Sequence, residues 1–237
     1  LWVLAHWRQN IDAAFFSLAG NSFLLAAIAS LCSLLVALLL GYGKRLYPGP
    51  METSAVRVAA MGYAVPGTVI AVGVLIPFAW FDNRLDQFMR DQFDISTGLL
   101  LSGTLVALVF AYVVRFLSVS LQAVESGLAR IRPSIDESAR SLGQSPLGVL
   151  RRIHLPLLRG SLLTALLLVF VDVLKELPTT LILRPFNFNT LAVRTYELAS
   201  DERLADAATP ALAIVIIGLL PVLLITRSLS DGASQHE

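Results

Sequence analysis

The polar positions of this chain gather into a few clusters, and between them lie five apolar runs: Leu18–Tyr42, Val56–Trp80, Leu99–Leu121, Leu162–Leu183 and Ala207–Thr226. A helix crosses the hydrocarbon of a bilayer in about 20 residues, so each run is long enough to span it. The third run is the least uniform, because Arg115 ends its apolar part early. The pattern predicts an all-α, polytopic helical bundle forming one domain over residues 1–237. Five spans are visible, and a sixth is expected ahead of Leu1.

Composition agrees. Of the 237 residues, 56% are hydrophobic and 15% charged, with a mean hydropathy of +0.72; soluble domains carry roughly a quarter charged residues. A net charge of +1 gives no bulk attraction to nucleic acid. The lone Cys32 permits no internal disulfide and no Cys-based zinc pattern, and no metal site is assigned. Trp2 and Trp7 suit a membrane interface. The start lacks the basic residues of a signal peptide, so the expectation is one half of a longer chain.

The loops set the orientation. The loop after the first run carries Lys44, Arg45 and Arg57, and the segment between the third and fourth carries Arg115, Arg130, Arg132, Arg140, Arg151, Arg152 and Arg159. The other two loops lean acidic. Positive loops stay in the cytoplasm. The N-terminus is therefore expected outside and the C-terminus inside, in a multi-pass inner membrane protein.

The segment 134–156 reads as short helices. Ser134 and Glu137 fit a capping box. Ile135, Ala139 and Leu142 share one apolar face. Gly143 suits a left-handed stop, Ser145 and Pro146 open a second short helix, and Pro156 is expected to break the chain before the fourth span. The same segment spells E-x-A-x3-G-x9-I-x-L-P through Glu137, Ala139, Gly143, Ile153, Leu155 and Pro156. This resembles the EAA signature of binding-protein-dependent ABC importer permeases, with Ser138 where that family usually has Ala. The resemblance implies a coupling element moved by a separate ATPase dimer, with ATP on that partner and no cofactor on this chain. It also implies a periplasmic binding protein and a second permease half, fused or separate. The predicted coupling residues are Ile135, Glu137, Ser138, Ala139, Leu142, Gly143, Ile153, Leu155 and Pro156, with the apolar face docking on the ATPase.

The fourth run holds Asp172, Lys175 and Glu176, which helical spacing places on one face. Charges at such depth should face the bundle interior or water. They are candidates for the translocation path or for a bracing ion-pair network, and Lys175 leaves one negative charge unbalanced. Pro178, Pro66 and Gly67 mark candidate pivots.

The runs Lys175-Glu176-Leu177-Pro178 and Arg184-Pro185-Phe186-Asn187-Phe188 resemble the second half of ferric-iron ABC importer permeases. Ferric iron is the implied solute, with thiamine, sulfate and polyamine permeases sharing the architecture. Tyr196, Asp201 and Glu202 are candidates for docking the binding protein. Other classes fare worse. Gly43-Lys44 is no P-loop, because Leu38 and Arg45 stand where Gly and Ser or Thr are needed. His6, His154 and His236 fall outside the spans, against an intramembrane enzyme. A secondary transporter using Asp172, Lys175 and Glu176 would leave the EAA-like segment unexplained.

Overall fold

The structure, a computed structural model, describes residues 11–233. Trp2, Trp7, His6 and His236 lie outside the described residues. Every regular element among the described residues is helical: α1 (Ala13–Leu46), α2 (Pro50–Ala59), a 3-10 turn (Gly62–Ala64), α3 (Gly67–Phe93), α4 (Leu105–Ala129), α5 (Pro133–Ser141), α6 (Pro146–Val149), a π turn (Leu150–His154), α7 (Leu155–Leu174), α8 (Pro178–Leu183), α9 (Leu191–Ser200) and α10 (Leu204–Ala233). Five stretches are long and apolar enough to cross a membrane: α1, α3, α4, the continuous run Pro146–Leu174, and Leu204–Leu223 of α10.

The largest differences from the sequence expectation fall in the second, third and fourth runs. The second run, Val56–Trp80, contains a real interruption: α2 ends at Ala59 and α3 starts at Gly67. Pro66 has no N–H, and its ring disfavours helix in the residue before it, so the chain turns there. The third span starts at Leu105, where Thr104 caps it by accepting from the Val106 N–H. It runs on past Arg115, which therefore sits inside the span and leaves the count of basic loop residues. The fourth span ends at Leu174, well short of Leu183, because Pro178 opens a separate short helix. Pro156 does not break the chain as expected. The helix runs through it, with the π turn just before it and the Leu155 N–H reaching Leu150. The wider turn accommodates a proline that removes one hydrogen bond and crowds the preceding turn.

Helices α1, α4 and α7 form the centre of the bundle. The buried face of α1 is mostly small, with Ser22, Ala26, Ala29, Ser30, Ser33, Ala37 and Gly41 beside the larger Leu25 and Tyr42. Small residues let backbones approach closely where lipid removes the hydrophobic drive between helices. Ser33 and Ser120 hydrogen-bond across the contact at 3.1 Å. Leu24, Leu31, Leu35 and Leu39 of α1 are exposed, an apolar outer surface suited to lipid. The bundle core divides into a cluster around Ala29, Leu108 and Phe170 and a second around Ala37, Leu121 and Leu158.

Candidate functional site

The segment 134–156 lies at one end of the bundle, against the C-terminal end of α1. Pro133 takes the first position of α5 and Ser134 the second, so the hydroxyl sits too far in to cap; the expected capping box is absent. The stop works as expected. Gly143 has φ +78°, its N–H donates to the Arg140 carbonyl, and the Gln144 N–H donates to the Ala139 carbonyl. That pair of bonds is a Schellman ending, which needs a left-handed residue at Gly143. Ser145 then caps α6 by accepting from the Gly148 N–H at 3.2 Å. Two short helices meet at a stiff corner.

The expected apolar docking face is divided. Ala139 is 5% exposed and Leu142 is 82% exposed. Ile135 packs against the inner cluster around Leu158. Ile135 and Ala139 thus fasten α5 to its own bundle, while Leu142 sits at the corner. The outward surface includes Glu137, Ser138, Arg140, Ser141, Leu142 and Leu147. Ile153 and Leu155 are half-buried and Pro156 is exposed.

Sequence reasoning missed what holds this corner. Asp136 Oδ2 accepts from Arg45 Nε at 2.8 Å, and Asp136 Oδ1 pairs with His154 Nε2 at 2.7 Å. Arg45 also donates to the carbonyls of Leu128 and Ile131. Tyr42 donates its hydroxyl to the Pro146 carbonyl at 2.7 Å and sets its ring edge-on to His154. His154 falls outside the five apolar runs, yet it is 1% exposed. Burial works to raise the Asp136 carboxyl, but hydrogen bonds from Arg45 and His154 outweigh it and hold the group below its ordinary range. One signal was available: Asp136 is three residues from buried Ala139 and so shares its face.

The second cluster lies within the bundle. Arg115 is ten residues into α4, about 15 Å from its start and about 21 Å from its end. Glu176 is buried and ends on the first turn of α8, accepting from the backbone N–H groups of Thr179 and Thr180 and from the Thr179 hydroxyl. Arg115 Nε stands 3.9 Å from Glu176 Oε1, close enough for charge attraction and too far for a hydrogen bond. Arg115 reaches Val65 O as well, so it ties the breaks in the second and fourth spans together. Asp172 and Lys175 form a separate pair at 2.9 Å, with the Lys175 side chain 64% exposed. The expected single face of three charges is therefore split, because the helix ends at Leu174. The expected excess negative charge is balanced by Arg115. All four charged groups border one cavity of about 270 Å³ with Tyr63, Phe116 and Pro178.

The docking candidates lie towards the opposite end of α1. Asn21 and Ser22 hold the backbone of Asn189 and Leu191, about 36 Å along α1 from Arg45. Tyr196, Asp201 and Glu202 are exposed there, and Glu202 has φ +60°.

The family of binding-protein-dependent transport system inner membrane components matches residues 29–231, a stretch that includes both clusters. The chain belongs to this family. The resemblance to ABC importer permeases is thereby borne out. Within the family's wider circle, the chain is 27% identical over 213 residues to the Fe(3+)-transport system permease protein FbpB 2 of Haemophilus influenzae, covering 90% of this chain and 39% of that one. It is 27% identical over 226 residues to the putative 2-aminoethylphosphonate transport system permease protein PhnV of Salmonella typhimurium, covering 95% of this chain and 79% of that one. The fold matches a bacterial ABC transporter that imports alginate, with TM-score 0.70 at 13% identity over 96% of this chain and 82% of that one. It also matches the MetNI methionine ABC transporter, with TM-score 0.67 at 14% identity over 93% and 99%. The chain spans well under half the length of the Haemophilus relative.

Proposed function

We propose that this chain is the membrane-spanning permease part of an ABC importer that passes ferric iron from a periplasmic binding protein to the cytoplasm. The observation that carries the reading is the rigid corner at Gly143, presenting Glu137, Ser138, Ser141 and Leu142 outward within a family-matched segment. A coupling element must be stiff, since a floppy loop would absorb the motion it transmits. In this reading a separate ATPase dimer docks on 134–156 from the cytoplasm and hydrolyses ATP, and a second permease half completes the path. The Asp172–Lys175 pair, with Lys175 exposed and Asp172 partly buried, lines that path, because charges at this depth do not face lipid cheaply. Tyr196, Asp201 and Glu202 receive the binding protein on the periplasmic side. The iron relative supports the solute. A second reading, an aminoethylphosphonate solute, is favoured by the other relative and by Arg115 and Lys175 at the cavity, which suit an oxyanion.

Uptake of labelled ferric ion against labelled 2-aminoethylphosphonate, in proteoliposomes holding ATPase and binding protein, decides between the solutes. ATP-independent uptake would sink the importer reading. Cysteines at Ser138 and Ser141 are expected to crosslink to the ATPase, and one at Glu202 to the binding protein. The reverse pattern would invert the orientation.

Gly143→Val is expected to abolish solute-stimulated ATP hydrolysis with the bundle still inserted. Space is not the obstacle, since nothing lies within 4 Å of an added Cβ. The obstacle is φ +78°, which a β-branched residue scarcely adopts. Normal stimulation in this variant would show that the corner need not be stiff.

A further inference from the structure

We propose that Asp136, and not its neighbour Glu137, carries a push on the coupling segment into the spans, with Arg45 and His154 as its receivers. The proposal rests on the coupling reading given above. Helix α5 is nine residues long, and Ala139 is its one fully buried side chain. Apolar packing alone holds it weakly. Its polar fastening is a single carboxylate whose two oxygens go to different elements: Oδ2 to Arg45 at the end of α1, Oδ1 to His154 at the end of the π turn. Arg45 carries the link onward to α4 and the turn after it through the carbonyls of Leu128 and Ile131 at 2.6 and 2.9 Å. One side chain thus joins α5 to α1, α4 and the root of α7.

The two receivers differ mechanically. Helix α1 is an uninterrupted 34 residues, about 51 Å. Its far half holds the opposite loops, through Asn21 to Asn189 O and Ser22 to the Leu191 N–H. A displacement delivered at Arg45 therefore has a stiff rod to travel along. The root of α7 is the yielding part. Its π turn carries an extra residue, and Pro156 supplies no N–H, so this turn is held less tightly than a regular helix. His154 sits at its last position and Tyr42 packs against the ring, with its hydroxyl on Pro146 O. Movement of α5 then shifts a rod and bends a joint together. Glu137, by contrast, is exposed on the outer surface and is placed to meet only a partner.

The two adjacent acids should separate in one experiment on the complete transporter in proteoliposomes, with its ATPase and binding protein. The readouts are ATPase retention on purification, ATP hydrolysis, solute uptake per ATP, and melting temperature. Asp136→Asn is expected to retain the ATPase and to lower uptake per ATP about tenfold, the size of losing one charge-assisted hydrogen bond. Asp136→Glu should recover part of the ratio. Glu137→Gln should act first on assembly, reducing ATPase retention, which Asp136→Asn leaves intact. If Asp136→Asn does not fold, Arg45→Lys carries the test: it keeps the charge but loses the bonds to Leu128 and Ile131, and should lower the same ratio. A merely structural role would lower the melting temperature and leave uptake per ATP intact, and that result overturns the proposal. A wild-type protein that binds no ATPase overturns the coupling reading and this proposal with it; a coupled wild type with a fully coupled Asp136→Asn overturns this proposal alone.

Discussion

Replacing Glu176 by Gln is expected to lower the melting temperature of the detergent-solubilised protein by on the order of 10 °C, corresponding to about 3–5 kcal/mol. The carboxylate is 6% exposed and collects the N–H groups of Thr179 and Thr180 and the Thr179 hydroxyl. Gln removes the charge that balances Arg115 and points an NH2 at groups that are themselves donors. Arg115→Met should cost less, because Glu176 keeps its donors from α8. The double variant Arg115→Met with Glu176→Gln should lie closer to wild type than Glu176→Gln alone, since no guanidinium is then left without its counter-charge. A neutral Glu176→Gln, or a double variant worse than either single, would refute the bracing role. The Asp172–Lys175 pair makes the contrast. With Lys175 largely exposed, the pair is worth no more than about 1 kcal/mol. Asp172→Asn with Lys175→Met should therefore melt near wild type and, if the pair lines the path, lose uptake.

This contrast shows where sequence reading stops. Asp172, Lys175 and Glu176 were visible as costly charges in an apolar run, and the cost alone marked them. Their partition into a brace and an open pair was not visible. It depends on Arg115, some sixty residues away, and on a helix that ends at Leu174. Arg115 looked like the end of a span because the apolar run faltered there. A span can carry an arginine through its middle when a neighbouring element supplies the counter-charge, here Glu176 in the link between α7 and α8.

The segment 134–156 divides in the same way. The stop at Gly143 and the cap at Ser145 were legible, because both depend on residues within five positions. The capping box was not, because Pro133 claims the first helical position and moves Ser134 inside the helix. Which face of α5 turns inward depends on Arg45 and His154, which approach from other elements. Periodicity found an apolar stripe through Ile135, Ala139 and Leu142, and the last of these faces out.

Gly62→Ala is expected to be among the most damaging single-methyl additions in the protein. A Cβ on Gly62 would stand 1.9 Å from the carbonyl oxygen of Val114 and 3.0 Å from its carbon. Both atoms belong to the backbone of α4, deep in a continuous helix, and no rotamer can relieve the clash. The 3-10 turn must then lift away from α4. That movement draws Val65 O from Arg115 and disturbs the start of α3 at Gly67, where Arg115, Thr179 and Glu176 already crowd the backbone. Overpacking a well-filled site costs about 1–3 kcal/mol, and occasionally more, when side chains can adjust. Here backbone must move, so a loss at or above the top of that range is expected, with uptake lost in parallel. Gly73→Ala on α3 is the control, because nothing lies within 4 Å of its added Cβ, and it should melt at or slightly above wild type through better helix propensity. The result also bears on the brace. If the turn is what holds Arg115 in place, Arg115→Met should remove part of the penalty of Gly62→Ala, a coupling readable from the four melting temperatures of a double-mutant cycle. Strict additivity would separate the two sites and leave Gly62 as a packing requirement only.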